Sequence, residues 1–316
     1  MTVQWSSIHL MFCEGPHDAS FLHRLLKTQL GFLTVKPKLS DLPYPISNVL
    51  QQSFRTRVAD DLRLDLAKKF FLPDYLVVLD ATLVMIFNYG GSNRRASMSP
   101  FLEAVFTLLG APAFAGAAKP QFTYTVFTDA DDLGIVRALE EIRVDLATIG
   151  GLGWLESAWK EVGGTSAFTQ GSAFGPTAAY IWKKWAEDNG TLEDVILECL
   201  SGDAGLQQTR AFLNARFSWQ PAAGATPKEI CAAKARHLKA AFCVEGQHRK
   251  PGGSLGVVLD QTDLLKPEAM KTSAAIQDCV AFLSNWVKPV SHDAAASVDA
   301  ASLPDSPLVV QGDGDV

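Results

Sequence analysis

The chain lacks most of what would tie it to a membrane, a disulfide framework or a bound nucleotide. No apolar run in its 316 residues approaches the roughly 20 needed to span a bilayer. Residues 1–7 carry neither a basic segment nor a small-residue cleavage site, so the reading expects no signal peptide and a cytoplasmic protein. Cys13, Cys199, Cys231, Cys243 and Cys279 are odd in number, scattered and free of CxxC pairs. That pattern suits reduced thiols and excludes a zinc module or disulfide frame. There is no G-x-x-x-x-G-K-[ST] sequence, hence no P-loop and no ATPase activity of its own. Gly171-Ser172-Ala173-Phe174-Gly175 has the wrong spacing for a nucleophile elbow, and Gly151-x-Gly153 lacks the third glycine of a dinucleotide fingerprint.

A basic excess is missing too. The formal net charge is −6, but Asp293, Asp299, Asp305, Asp313 and Asp315 follow Lys288 with no Lys or Arg among them. Residues 1–288 are therefore close to neutral. Their bases gather at Arg94-Arg95, Lys183-Lys184, Lys234 to Lys239 and His248-Arg249-Lys250. Such a balance permits a nucleic-acid partner without demanding one.

What is present is an ordinary apolar content of 47% and enough length for one large α/β domain with a helical extension. Residues 8–13 read as a strand. From Asp18 the apolar positions Phe21, Leu22, Leu25, Leu26 and Leu30 follow helical spacing, ended by Gly31. Residues 33–73 read as an insertion over the sheet, a proline-marked loop and then a charged helix from Val49 to Phe71. Tyr75–Leu79 is an apolar run, and Leu83–Phe87, after Asp80-Ala81-Thr82, reads as a buried strand. Ser99-Pro100 reads as an N-cap and first helical residue, opening a helix through Leu109. Phe122–Phe127 is a further strand, and Ile135, Leu139, Ile142 and Leu146 mark an amphipathic helix after it. Residues 150–178 look irregular, and Ala179–Trp182 reads as a fourth short strand. Thr191-x-x-Asp194 is a capping box for a helix through Leu200. Helical patterns follow at 205–217, 227–243 and 267–287. The expected division is an α/β domain at 1–200, a helical extension at 201–288 and a disordered acidic tail at 289–316. Strand–helix alternation argues for a parallel sheet between helices.

Two stretches carry chemistry. Ile8–Cys13 delivers Glu14 at a strand end, Gly15 turns the chain, and Asp18 falls in the first helical turn. Phe122–Thr128 repeats that logic and ends in Asp129-Ala130-Asp131-Asp132. Asp18 and the Asp-rich turn also suit helix N-termini, where acids interact favourably with the dipole. Glu14 is harder to dismiss, because a carboxylate ending a buried strand must be solvated, paired or metal-bound. Three acids within four residues repel one another, and a divalent cation would relieve that repulsion. If the two strands are neighbours in one parallel sheet, their acids meet at the edge where open α/β sheets place ligands.

The Glu-Gly turn after the first strand, the Gly90-Gly91 turn after a middle strand and the Asp-x-Asp turn after a later one together resemble the Toprim domain. Phe12-Cys13-Glu14-Gly15-Pro16-His17-Asp18 with Phe21-Leu22 is similar to the E-G-x-x-D/E motif of overcoming-lysogenization-defect (OLD) nucleases. Gly190-Thr191-Leu192-Glu193-Asp194, Lys234-Ala235-Arg236-His237 and Pro251–Gly256 look like motifs of stand-alone bacterial Toprim-like proteins. The likeness covers about residues 8–287 apart from 33–73. The chain has neither the cysteine-rich modules nor the length of a topoisomerase or full primase.

The resemblance implies a Toprim-like (Rossmann-like) α/β fold and a metal-dependent nuclease acting on DNA or RNA. Glu14 and Asp18 would bind Mg²⁺ or Mn²⁺ on one side, Asp129 and Asp131 on the other, with Glu193 as a further ligand from the later segment. Two ions are implied. Asp194 is assigned to the capping box, and Lys234 would stabilise charge at the scissile phosphate. By analogy with OLD-type systems, a separately encoded ATPase would be a partner in phage defence, and a homo-oligomer is compatible with the sequence. Two rival readings stand beside it. One is a haloacid-dehalogenase-like phosphatase with Asp129 as nucleophile and Asp131 as acid/base, although that scheme wants its DxD on the first strand. The other is a non-catalytic binding module acting through a partner.

Overall fold

The computed structural model describes residues 5–58, 71–91, 94–112, 120–147, 149, 159–161, 167–171, 174–217 and 219–287. The expected acidic tail, the Gly151-x-Gly153 stretch and residues 59–70 of the expected insertion lie outside them.

Strand β1 (Ser7–Cys13) is buried along its whole length, because it lies at the centre of an eight-stranded sheet. It pairs in parallel with β4 (Thr82–Asn88) on one side and β5 (Gln121–Asp129) on the other, and β5 pairs in parallel with β8 (Thr177–Trp182). Around this core the edges turn antiparallel: β3 (Tyr75–Leu79) and β2 (Leu33–Thr34) beside β4, β7 (Ala167–Gln170) and β6 (Lys160–Glu161) beside β8. The order is β2-β3-β4-β1-β5-β8-β7-β6.

The chain is thus an α/β protein with the expected parallel sheet between helices in its four inner strands and antiparallel pairing added at both edges. Only Asp80 and Ala81 separate β3 from β4, with Asp80 at φ 51°, and so short a link joins antiparallel neighbours alone. Residues 150–178, read as irregular, contain β6 and β7.

Two-residue periodicity sorts the strands' side chains into two cores. Ile8, Leu10 and Phe12 point to one face with Leu83, Met85, Tyr124 and Val126, while Met11 and Cys13 point to the other with Val84, Ile86 and Phe127. The first face is covered by α2 (Ile46–Val58), α3 (Arg94–Leu109) and α4 (Ile135–Leu146). Ile46, Val49 and Leu50 of α2 are buried there, so this part of the expected insertion belongs to a packed layer. α3 begins at Arg94 rather than at Ser99, which leaves Pro100 inside the helix. The carbonyl of Ala96 consequently lacks its N–H donor four residues on.

The opposite face is covered by α1 (Pro16–Leu30), α5 (Leu192–Cys199), α7 (Pro227–Gln247), α8 (Leu255–Gln261) and α10 (Ala274–Trp286), with α6 (Ala204–Arg216) and α9 (Pro267–Thr272) beside them. Helix α1 forms where Pro16 presets its first turn and Gly31, at φ 78°, ends it. The sequence pattern did not mark α8, whose seven residues are too few to show a period. The helix expected across 267–287 divides at Ser273, whose hydroxyl caps α10 and also donates to Glu198 Oε1 at 2.9 Å. Among the described residues no helix is long and apolar enough to cross a membrane.

α1 and α8 are clamped by a buried polar triplet. His23 Nδ1 lies 2.7 Å from Asp260 Oδ1, and Nε2 lies 2.7 Å from Thr34 Oγ1 on the edge strand, while the ring stacks on Tyr75. Arg24 adds a bond to the Asp260 carbonyl at 3.1 Å. Removing one partner leaves the other buried and unsatisfied. His23→Ala is therefore expected to lower unfolding free energy by about 3 kcal/mol, read from the urea midpoint. A loss under about 1 kcal/mol would show the triplet to be dispensable.

Candidate metal centre

Helix α1, which leaves β1, packs on one face of the sheet, and α4, which leaves the neighbouring strand β5, packs on the other. The C-terminal end of β1 therefore lies where the winding reverses, at the crevice that receives ligands in open α/β sheets. Register carries the two acidic turns to the same place. Phe12 pairs with Val126, so Glu14 emerges opposite Thr128, and the Thr128 hydroxyl donates to Glu14 Oε1 at 2.5 Å. The Gly90-Gly91 turn after β4 closes on the same residue, with Gly91 N–H donating to the Glu14 carbonyl at 2.7 Å.

Each remaining acid is held by a backbone device. Gly15 N–H donates to Asp18 Oδ2 at 2.9 Å, which fixes Asp18 over the first turn of α1. Leu192 N–H, at the start of α5, donates to Asp129 Oδ1 at 2.8 Å. Asp194 accepts from Thr191 N–H at 3.2 Å, the capping contact its spacing suggested. Asp131, at φ 49°, exchanges two backbone bonds of 2.8 and 2.9 Å with Gly190, tying the Asp-x-Asp turn to the approach to α5. Gly190 has φ 124°, and a Cβ there would lie 2.5 Å from Lys184 N and 3.1 Å from Asp194 Oδ2. Only glycine fits this crossing.

The result is a crowd of like charges. Glu193, on α5, is only 3% exposed and its Oε2 has no hydrogen-bond partner among the described residues. Burial pushes the Asp18 carboxyl up to about 7, with repulsion from Glu193 and Glu14 adding to it. Asp129 lies well above the usual carboxylate range through burial first and then the charges of Glu193, Asp18, Glu14 and Asp131. Asp131, at the rim, rises to about 6 through partial burial and the charges of Glu14 and Asp132. Glu14 and Glu193 act on all three of these aspartates, so the five carboxylates lie at the same end of the sheet.

Two lysines of α7 reach this group differently. Lys234 Nζ bonds Asp194 Oδ1 at 2.5 Å, one residue away from the buried Glu193. Lys239 Nζ lies 3.3 Å from Glu193 Oε1. Burial opposes the charge of Lys239, but Glu193, Asp129 and Asp18 outweigh it and raise its pKa. Sequence reasoning passed over Lys239 and Thr128. Lys239 sits in a helix of mixed charge with nothing to distinguish it, whereas Thr128 directly precedes the Asp-x-Asp turn and faces Glu14 by register alone.

Among the described residues no three His, Cys, Asp or Glu side chains are gathered tightly enough to grip an ion as they stand. The donor set itself fits a hard cation: carboxylate oxygens only, net negative with Lys239 counted, and one buried oxygen left without a partner.

No family model matches the chain, and no curated protein is significantly similar to it. Among solved structures it is similar to a hypothetical protein from Pyrococcus horikoshii OT3, at 16% identity and a TM-score of 0.46, covering 88% of this chain and 95% of that one.

Acids whose folded pKa exceeds the unfolded value make the native state bind protons more tightly than the unfolded chain. Their contribution to stability is greatest below the unfolded carboxylate range near 4 and declines as pH rises towards the folded values of about 6 and 7. Melting temperature in EDTA is thus expected to fall between pH 4 and pH 7 through this cluster. Asp129→Asn keeps the acceptor for Leu192 N–H while removing a charge, and should raise the pH 8 melting temperature by about 3 °C or more. A lower melting temperature for that variant would mean that the carboxylates do not repel one another. Gly190→Ala should abolish any rise in melting temperature on adding Mn²⁺.

Proposed function

We propose that the chain is a metal-dependent phosphodiesterase of Toprim type acting on nucleic acid. The observation that carries this reading is the buried Glu193 carboxylate, its Oε2 without a partner among the described residues, set among Glu14, Asp18, Asp129 and Asp131 at the sheet's switch point. Divalent Mg²⁺ or Mn²⁺, held by Glu14, Asp18, Asp129, Asp131 and Glu193, would supply Lewis acidity and lower the pKa of a bound water. That charge also reconciles an acidic pocket with a polyanionic substrate.

The chain's own groups have separable tasks. Thr128 fixes the orientation of Glu14, and Leu192 N–H fixes that of Asp129. Lys239 is a resident counter-charge: one ammonium among several carboxylates leaves a negative surplus, so it lessens the need for a cation without removing it. Released from Glu193, the Lys239 ammonium would be placed to face a phosphate oxygen. Lys234, bonded to Asp194 beside the cluster, is the second candidate for that contact.

The phosphatase reading asks Asp129 to be an ionised, free nucleophile. Its Oδ1 already accepts from Leu192 N–H, which fixes the carboxylate in place as a ligand would need. Cytoplasmic location, a separate ATPase, a role in phage defence and self-association remain part of the proposal by analogy alone.

Nicking of supercoiled plasmid in Mg²⁺ or Mn²⁺ is the test. Glu14→Ala and Asp129→Ala are each expected to lose at least about 100-fold in rate while retaining the fold. Hydrolysis of p-nitrophenyl phosphate without nicking would establish the phosphatase instead, and neither activity would leave a binding module.

A further inference from the structure

A second concavity adjoins the carboxylate cluster. It has a volume of about 490 Å³ and lies between the turn after β8 and the helices α5 and α6. Leu197 and Leu206 contribute an apolar floor, Trp185 one wall, Lys184 (ion-paired with Glu187) and Arg210 positive charge, and Asp194 and Glu198 negative charge, Asp194 on the side next to Glu193. The size is within the range of small-ligand sites.

Trp185 is the unusual residue here. Trp182, three positions earlier, is 1% exposed in the sheet, but Trp185 is 45% exposed. The backbone turns it outward: Ala186 has φ 62°, and the turn is closed by Lys184 N–H to the Asn189 carbonyl at 2.9 Å. An exposed tryptophan beside cations commonly only covers apolar floor, yet two further features point to a ligand. Arg210 Nε is buried without a hydrogen-bond partner among the described residues. The same turn is also anchored to the Asp-x-Asp turn through the paired Gly190 and Asp131 bonds. Whatever rests on Trp185 is therefore held in fixed relation to Asp129 and Asp131.

An aromatic wall, an apolar floor and cations at the margin match an unpaired nucleobase with its phosphate. A paired base offers no free face to a single tryptophan. We propose that this cleft is a subsite for one unpaired base of single-stranded nucleic acid, with Trp185 stacking on the base, Arg210 contacting its phosphate, and Lys184 joining that contact on exchanging Glu187 for a phosphate oxygen. The idea rests on the phosphodiesterase reading for what then happens to the strand, while base binding stands separately.

The test is fluorescence anisotropy in EDTA, where no hydrolysis occurs, with a labelled oligothymidylate of about eight nucleotides, a length typical of single-strand sites. Wild-type protein should bind it. Trp185→Ala should weaken binding about tenfold, Trp185→Phe should recover most of the loss, and an abasic oligomer should bind wild type as weakly as oligothymidylate binds Trp185→Ala. Absence of wild-type binding, equal binding of abasic and base-bearing strands, or an unchanged Trp185→Ala would each overturn the subsite. Binding with this pattern but no plasmid nicking would keep the subsite and remove the hydrolysis. Nicking with an unchanged Trp185→Ala affinity would do the reverse.

Discussion

Mutual repulsion among buried carboxylates is the constraint around which this molecule is built. A folded chain ordinarily avoids removing several like charges from water in one place, because each adds to the cost of the next. Here four separate segments deliver them: the end of β1, the first turn of α1, the end of β5 and the start of α5. Thr128, Gly15 N–H, Leu192 N–H and Lys239 hold them there. None of these contacts removes the surplus of negative charge. Groups with perturbed pKa values and an unpaired buried oxygen are concentrated where function resides far more often than where packing alone is served.

The rest of the fold can be understood as the frame that makes such an arrangement tolerable. Two cores, one on each face of the sheet, fix the strands so that registers differing by a single residue are excluded. Parallel pairing of β4, β1, β5 and β8 brings their ends to one edge. Helices α5 and α7 then close over that edge and carry Glu193, Asp194, Lys234 and Lys239 down onto it.

Much of this was legible in the chain. Strand β1, its Glu-Gly turn and helix α1 could be placed from apolar spacing, Asp18 and Gly31, since local chemistry and global packing agree there. The same holds for β5 with Asp129 and Asp131. Other features depended on contacts that no local pattern encodes. The antiparallel pairing of β3 with β4 follows from a two-residue link whose residues, Asp80 and Ala81, are not the usual hairpin pair. Pro100 sits inside a helix because tertiary packing of Met98, Leu102 and Val105 outweighs its local preference. Lys234 and Lys239 are alike in sequence, and only the approach of α7 to α5 decides which one touches Glu193. Trp185 faces outward through one left-handed residue, Ala186, whose type gives no hint of it.

The most direct measurement of the central claim is anomalous X-ray scattering from crystals soaked in Mn²⁺. The account expects a strong peak bounded by the carboxylates of Glu14, Asp129 and Glu193, with Lys239 Nζ withdrawn from Glu193. A saturating soak that leaves this region without a peak and Lys239 still bonded to Glu193 would contradict it.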